Sequence, residues 1–188
     1  MHRGEVKAAE LVDKLYRQMT DAQYALGKPS IAAVTGTARG GGMTMSISCD
    51  VIIASDSATF GYPEIDSGIL PSIHFTHLPR IVGKHRAFEL LFSGRTFGSQ
   101  EAKELGLVSQ VVPDDEVMLA ARKLAKVFSE KPRHTMKVGR QSFMAATENG
   151  YRAAVSAAVD NFCRISTDPE AQEGFAAFAE KRKPYWQR

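Results

Sequence analysis

Cysteine is scarce in this 188-residue chain, with two in all. Cys49 and Cys163 lie far apart and form no CxxC pair, which argues against a zinc site and gives no sign of a secreted, disulfide-built protein. No apolar run reaches the roughly 18 residues that a membrane-crossing helix needs, and the N-terminal "MHRGEVKAAE" lacks the apolar centre of a signal peptide. A charge excess of one sign is missing as well, the formal net charge being +3. Positive residues do gather in "EKRKPYWQR" (180–188) and around Lys131, Arg133, Lys137 and Arg140, and these are read as solvated helix faces. A nucleic-acid surface needs a basic stripe with interleaved aromatics or a recognisable motif, and the sequence has neither. Internal repeats and low-complexity tracts are also absent. A soluble, cytoplasmic protein with no metal, no nucleic-acid partner and no membrane partner is expected.

What is present is ordinary globular material, 44% hydrophobic and 24% charged, enough for one domain or one domain with a smaller appendage. Leu11, Leu15 and Met19 recur at four-residue spacing in a helix expected from about Glu5 to Leu26, which Lys28-Pro29 ends. "SIAAVT" and "VIIAS" are continuous apolar, β-branched runs, the mark of strands buried on both faces; "ATFG" reads as a third, short strand. "KHRAFELLFSG" is a helix stopped by Gly94. "SQEAKELGLVSQVV" is a short helix capped by Ser99 and closed by Gly106, followed by a strand. Asp114 can cap a long helix to about Ser129. Further helices fit residues 134–147, 150–165 and 169–181, the last opened by Asp168 with Pro169 in its first turn. Strands mixed with helices come first and helices alone come last, which predicts an α/β body over residues 1–112 and a helical region over 113–188.

Between the first two strands stands "GTARGGGM". A strand, then glycines, then a helix start is where backbone N–H groups point outward and the helix dipole favours negative charge. The spacing fits neither a P-loop nor G-x-G-x-x-G. A tight turn and an oxyanion hole both remain open at this point. The next loop, "ATFGYPEIDSGILPS", holds Glu64 between Pro63 and an apolar residue. In an apolar cleft, desolvation brings such a carboxyl toward acid/base duty.

Together these segments resemble the crotonase superfamily, the enoyl-CoA hydratase/isomerase family. The matching stretches are "KPSIAAVTGTARGGGM" (28–43), "CDVIIASDSATFGYPEIDSGILP" (49–71), "LFSGRTFGSQEAKELGLVSQVVP" (91–113) and "EGFAAFAEKRKPYW" (173–186). They cover nearly the whole chain, in the family's order. The resemblance implies an α/β fold of repeated ββα units, crotonase-like and related to the Clp proteases, with a C-terminal helical region that packs at the interface of trimers or hexamers. It implies an acyl-CoA thioester as substrate, with coenzyme A part of that substrate and no separate cofactor. By the same resemblance the Gly41 N–H is one oxyanion donor, with Gly42 beside it. Pro71, Ser72 and His74 line the pocket, and Phe162 and Lys181 contact the CoA nucleotide, often from a neighbouring subunit.

The family's hydratases look to two glutamates, one just after the glycine turn and one in the FG-x-PE loop. Here the second is Glu64, but the first position is Thr44, whose hydroxyl cannot accept a proton at neutral pH. One carboxylate suffices for a 1,3-proton shift, so the pattern points to an enoyl-CoA isomerase, with a hydratase acting on an unusual acyl group as the alternative. A second departure follows Pro71, where many hydratases are glycine-rich and this chain has "SIHFTHLPR". His74 or His77 could serve as a second acid/base group or simply line the wall. Asp66, two residues past Glu64, would share its face if the loop were extended. Thr44 as a nucleophile would need an oriented base that no spacing supplies. Finally, family members usually carry an N-terminal segment ending in an A-G-x-D-[IL]-K-E-M-like stretch with the other oxyanion donor, and Met1 coincides with its closing methionine. The chain is therefore expected to be N-terminally shortened, which raises a rival from another class: a non-catalytic acyl-CoA-binding or assembly subunit.

Overall fold

The computed structural model describes residues 10–147, 150, 155, 156, 159, 160, 162, 163 and 166–185. Two three-stranded sheets form its body. In the first, β1 (Ile31–Val34), β3 (Val51–Ser55) and β6 (Gln110–Val112) run parallel in the order β1-β3-β6. In the second, β2 (Thr37–Arg39) pairs in parallel with β4 (Thr59–Gly61), and β4 pairs antiparallel with β5 (Thr96–Gly98). The apolar runs "SIAAVT" and "VIIAS" thus lie side by side, Ile31 opposite Val51 and Val34 opposite Ala54. Strands β2 and β5 were not anticipated, because three residues such as Thr-Ala-Arg are too short and too polar to show a two-residue period.

β1 and β2, and then β3 and β4, each lead into helix, which repeats the expected ββα unit. Helix α1 spans residues 10–25, α2 is Gly41–Ile47, α3 His74–Val82, α4 Lys84–Ser93, α5 Ser99–Glu104 and α6 Val117–Ser129. Two more follow, α7 (Arg133–Thr147) and α8 (Pro169–Ala179). Most of the helix expected over 150–165 lies outside the described residues. None of the described helices is long and apolar enough to cross a membrane.

Three apolar clusters hold these layers. The largest runs from Met43 through Ile52, Phe60 and Tyr62 to Leu78, Leu90, Leu91 and Phe97. On the other face of the parallel sheet, Val117 and Ala121 of α6 pack with Ile53 against Ile31, Val51 and Leu124. The helix that begins just past residue 113 therefore completes the sheet's burial. A third cluster joins Val12 and Tyr16 of α1 to Ile69, Ile73, Phe162 and Ala171.

Several local expectations are corrected. α1 does not bury Leu11, which is 52% exposed; Val12 and Tyr16 go inward instead. The inward row is thus one residue on from the expected one, in a helix whose stretch Asp13–Gln18 is π-helical. Ser99 does not cap its helix: Gly98 holds that position, and the Ser99 hydroxyl donates to the Asp56 carbonyl at 2.9 Å. Asp114 opens a 3-10 turn before α6, and Asp168 stands at the N-cap of α8 without a side-chain capping bond. Helix α3 was hidden by Pro79 and by two histidines on the face that His74, His77, Leu78 and Val82 bury. Arg140 is the clearest exception to the solvated cationic faces. It is 7% exposed, with Nε donating to both Asp50 oxygens at 2.9 and 3.1 Å and its other N–H groups donating to the carbonyls of Gln23, Tyr24 and Leu26.

Candidate active site

Gly40 has φ +51° and ψ −116°, a conformation that costs a side-chain-bearing residue strain and glycine little. That turn lets α2 begin at Gly41, whose N–H, in the helix's first turn, has no partner within the helix. The same turn brings Glu64 close. A Cβ placed on Gly40 would stand 3.6 Å from Glu64 Oε1, so the carboxylate lies against bare backbone. On Gly41 a Cβ would stand 3.1 Å from a methyl of Leu15, the residue of α1 that covers this turn. Thr44, one turn into α2, is buried, and its hydroxyl donates back to the Gly40 carbonyl at 3.4 Å.

Glu64 sits in the 3-10 turn Pro63–Ser67, which leaves β4 and ends at Gly68 with φ +69°. The turn settles the place of Asp66. In a 3-10 helix residues two apart point in different directions, and the Asp66 carboxylate lies against Gly94, within 2.7 Å of where a Cβ there would be. Asp66 therefore does not share Glu64's face, because the loop is coiled rather than extended. On its outer side the turn is held by α8: a Cβ on Gly174 would fall 1.9 Å from the Ser67 carbonyl oxygen.

Around Glu64 the surroundings are apolar and rich in hydroxyls and rings. Both of its carboxylate oxygens, the Tyr62 hydroxyl and His74 Nε2 are buried and have no hydrogen-bond partner among the described residues. His74 Nε2 stands 3.5 Å from Glu64 Oε1, and His74 Nδ1 is 3.1 Å from His77 Nε2. The Tyr62 ring meets the His74 ring edge-on, with centroids 4.6 Å apart. Burial, and then the Glu64 charge, push the Tyr62 phenol up. The same two causes push Tyr16 up to about 12, with the neighbouring Thr44 hydroxyl pulling the other way. Burial, His74 and Arg80 hold the His77 imidazole well below its usual range. Burial thus disfavours the charged forms of Tyr62, Tyr16 and His77, which surround Glu64.

The other residues singled out in the sequence divide. Pro71 and Ser72 are buried in the turn that carries His74, whose N–H bonds the Pro71 carbonyl at 3.0 Å; the Ser72 hydroxyl donates to the Leu70 carbonyl. Gly42 has the Ala38 methyl 4.0 Å from a would-be Cβ. Phe162 is buried edge-on against Tyr16, at 6.1 Å between centroids, forming the wall behind the site. Lys181 follows α8, exposed, at φ +54°. Tyr16 and Tyr62 were missed in the sequence. Tyr62 stood inside the FGYPE motif and Tyr16 four residues from Val12, but nothing in either spacing marks a hydroxyl near a carboxylate. Two clefts lie elsewhere. One of about 880 Å³ is lined by Gln23, Asp50, His77, Arg80 and Arg140 among others, and one of about 630 Å³ by Lys28, Lys131, Arg133 and Lys137 among others.

Comparison with known proteins gives a consistent result. The family model described as "Enoyl-CoA hydratase/isomerase" matches residues 1–188. Among curated proteins, a probable enoyl-CoA hydratase of Mycobacterium bovis is 38% identical over 161 residues, 85% of this chain and 63% of its own length. The 2,3-dehydroadipyl-CoA hydratase of Escherichia coli is 35% identical, with the same coverage of 85% and 63%. The chain thus spans less than two thirds of the length of these relatives. Among solved structures, an enoyl-CoA hydratase from Mycobacterium avium subsp. paratuberculosis superposes with a TM-score of 0.86 at 27% identity, over 93% of this chain and 71% of its own. A carnitinyl-CoA hydratase from Mycobacterium avium superposes with a TM-score of 0.77 at 32% identity, over 86% of this chain and 64% of its own.

Proposed function

The chain belongs to the enoyl-CoA hydratase/isomerase family and has its fold, and from that premise we propose that it moves a proton on an acyl-CoA thioester through Glu64. The observation that carries this reading is a buried carboxylate with both oxygens unpartnered, set against the glycine turn that opens α2. When a base takes the proton next to a thioester, negative charge moves to the carbonyl oxygen. The Gly41 N–H at the start of α2 is the donor that would meet it, and losing one such donor typically costs about 10²–10³ in rate. Coenzyme A enters as part of the substrate, and no further cofactor is invoked.

Two features favour a one-carboxylate proton shift. Thr44 stands where a second acid would be needed, and its hydroxyl is turned to the Gly40 carbonyl. It can form hydrogen bonds but cannot take up a proton at neutral pH. Glu64 would take a proton from C2 or C4 of an enoyl thioester and return it two carbons away. Hydration is the second reading, supported by the relatives named as hydratases. It requires another group to manage the water, and His74, 3.5 Å from Glu64, is the nearest candidate in kind.

Turnover of 3-enoyl-CoA and of 2-enoyl-CoA by the wild-type chain and by Glu64→Gln tests both. The expected result is double-bond migration exceeding hydration, with Glu64→Gln lowering it by at least ~10². Near-full turnover in Glu64→Gln would sink the role of Glu64. Thioester binding without turnover would favour a non-catalytic acyl-CoA-binding protein.

A further inference from the structure

His74 and His77 have no assigned part in the proton shift, yet they reach inward from α3 toward its base. His74 is fully buried and His77 nearly so, although a fully buried histidine pair on one helix face is unfavourable unless its nitrogens are matched. The distances constrain the match. An ionised carboxylate only accepts hydrogen bonds, so a bare His74 Nε2 at 3.5 Å from Glu64 Oε1 would set two acceptors against each other in a dry site. His74 Nε2 must carry hydrogen. In the neutral imidazole Nδ1 is then bare and must accept, and the nitrogen 3.1 Å from it is His77 Nε2. His77 Nε2 must carry hydrogen in turn. One arrangement of two protons satisfies both contacts, and it points both N–H bonds the same way.

We propose that His77 and His74 form a fixed-tautomer dyad that presents one N–H to Glu64 Oε1, leaving Oε2 as the oxygen that takes the substrate proton. Both are positioning residues, His74 acting on Glu64 and His77 acting through His74. The groups facing them close the pair off and fit an uncharged His77. The Tyr62 ring edge closes one side of His74. Burial, and the Arg80 cation one turn on in α3, oppose a charge at His77. The 3.5 Å separation from His74 to Glu64 is longer than a formed hydrogen bond, and catalytic contacts of this kind commonly tighten when substrate binds. His77 also lines the 880 Å³ cleft with Asp50 and Arg140, so the dyad bridges that cleft and the carboxylate.

The inference rests on the reading of Glu64 as the ionised base, and its test includes a measurement that needs no turnover. Long-range ¹H–¹⁵N spectra of the histidine-labelled chain at pH 7 report tautomer directly, with His74→Gln and His77→Gln used to assign the signals. Two neutral Nε2–H imidazoles are expected. A charged His74, or its Nδ1–H form, would overturn the dyad. His77→Gln keeps an N–H donor to His74 and should preserve the His74 signal, whereas His77→Leu removes it and should scramble the tautomer. On a thioester that the chain turns over, His77→Leu should lower kcat on the order of tenfold with KM within about twofold, a smaller loss than that of the base itself. His77→Gln should recover most of kcat, and equal rates for the two variants would overturn the proposal. If His77→Leu does not fold, the wild-type and His77→Gln spectra decide. If no thioester is turned over, the proposed function fails, and the spectra still decide the dyad.

Discussion

Arg140 and Glu64 are two ionisable side chains with buried polar atoms, and they are treated in opposite ways. Arg140 has its Nε on both oxygens of Asp50 and its remaining N–H groups on three carbonyls of the α1 end, while Asp50 also accepts from the Ser30 backbone N–H and hydroxyl. Glu64 is nearly as buried and has neither oxygen hydrogen-bonded among the described residues. Taking a charge out of water is costly, and folds normally offset that cost with partners. Where partners saturate the charge, its role is to join α7, α1 and the parallel sheet. Where they are withheld, both carboxylate oxygens stay without a hydrogen bond among the described residues.

Replacing Arg140 by leucine strands Asp50 and three carbonyls. Its expected effect is the largest, a loss of about 3–5 kcal/mol in unfolding free energy, read from denaturant midpoints. A loss under about 1 kcal/mol would show that water replaces the guanidinium freely and that the two charges differ less than their contacts suggest. Next comes Gly174→Ala. Its methyl meets the Ser67 carbonyl, so the helix must shift, which costs about 1–3 kcal/mol and disturbs the turn that holds Glu64. Unchanged stability together with unchanged turnover would mean that α8 does not fix the turn.

Glu64→Leu sharpens the contrast from the other side. Removing an unpartnered buried carboxylate should leave unfolding free energy within about 1 kcal/mol of wild type or raise it, even though the proposed proton transfer would be lost. A drop as large as that of Arg140→Leu would break the comparison outright. The smallest effect concerns pH. His77 is held well below its usual range, first by burial and also by the Arg80 cation one turn on, so below about pH 6.5 the unfolded chain binds a proton that the folded chain refuses. Stability then falls as pH falls through that value, by about 1 kcal/mol between pH 7.5 and 5.5 for this one group. His77→Gln should flatten that slope, and an unchanged slope would show that His77 does not contribute to it.

The legible parts of the sequence were those where local chemistry and local geometry coincide. Gly40 to Gly42 announced a turn because only glycine fits φ +51° there without strain, and "VIIAS" announced a two-sided strand because β-branched residues pack on both faces. Glu64 was legible through its motif. What stayed hidden depends on phase or on distance along the chain. In α1, Val12 and Tyr16 turned inward and Leu11 outward, one residue off the expected row. The 3-10 coil turned Asp66 onto Gly94. The partners of Arg140 lie in segments that no spacing rule connects to it. The pairing of His74 with His77 was present as an i, i+3 spacing, but polar residues on an apolar face read as noise until their burial is known.

The contact between Gly174 and Ser67 also sets an order of events. Strands β1 to β5 and the glycine turn can assemble from neighbouring segments, but the turn bearing Glu64 waits for a helix encoded roughly a hundred residues downstream, a closure of high sequence separation that comes late in folding. As the chain leaves the ribosome, its scaffold can stand while the carboxylate is still unclamped. A product ended before that helix would hold the acid-bearing loop without the part that secures it.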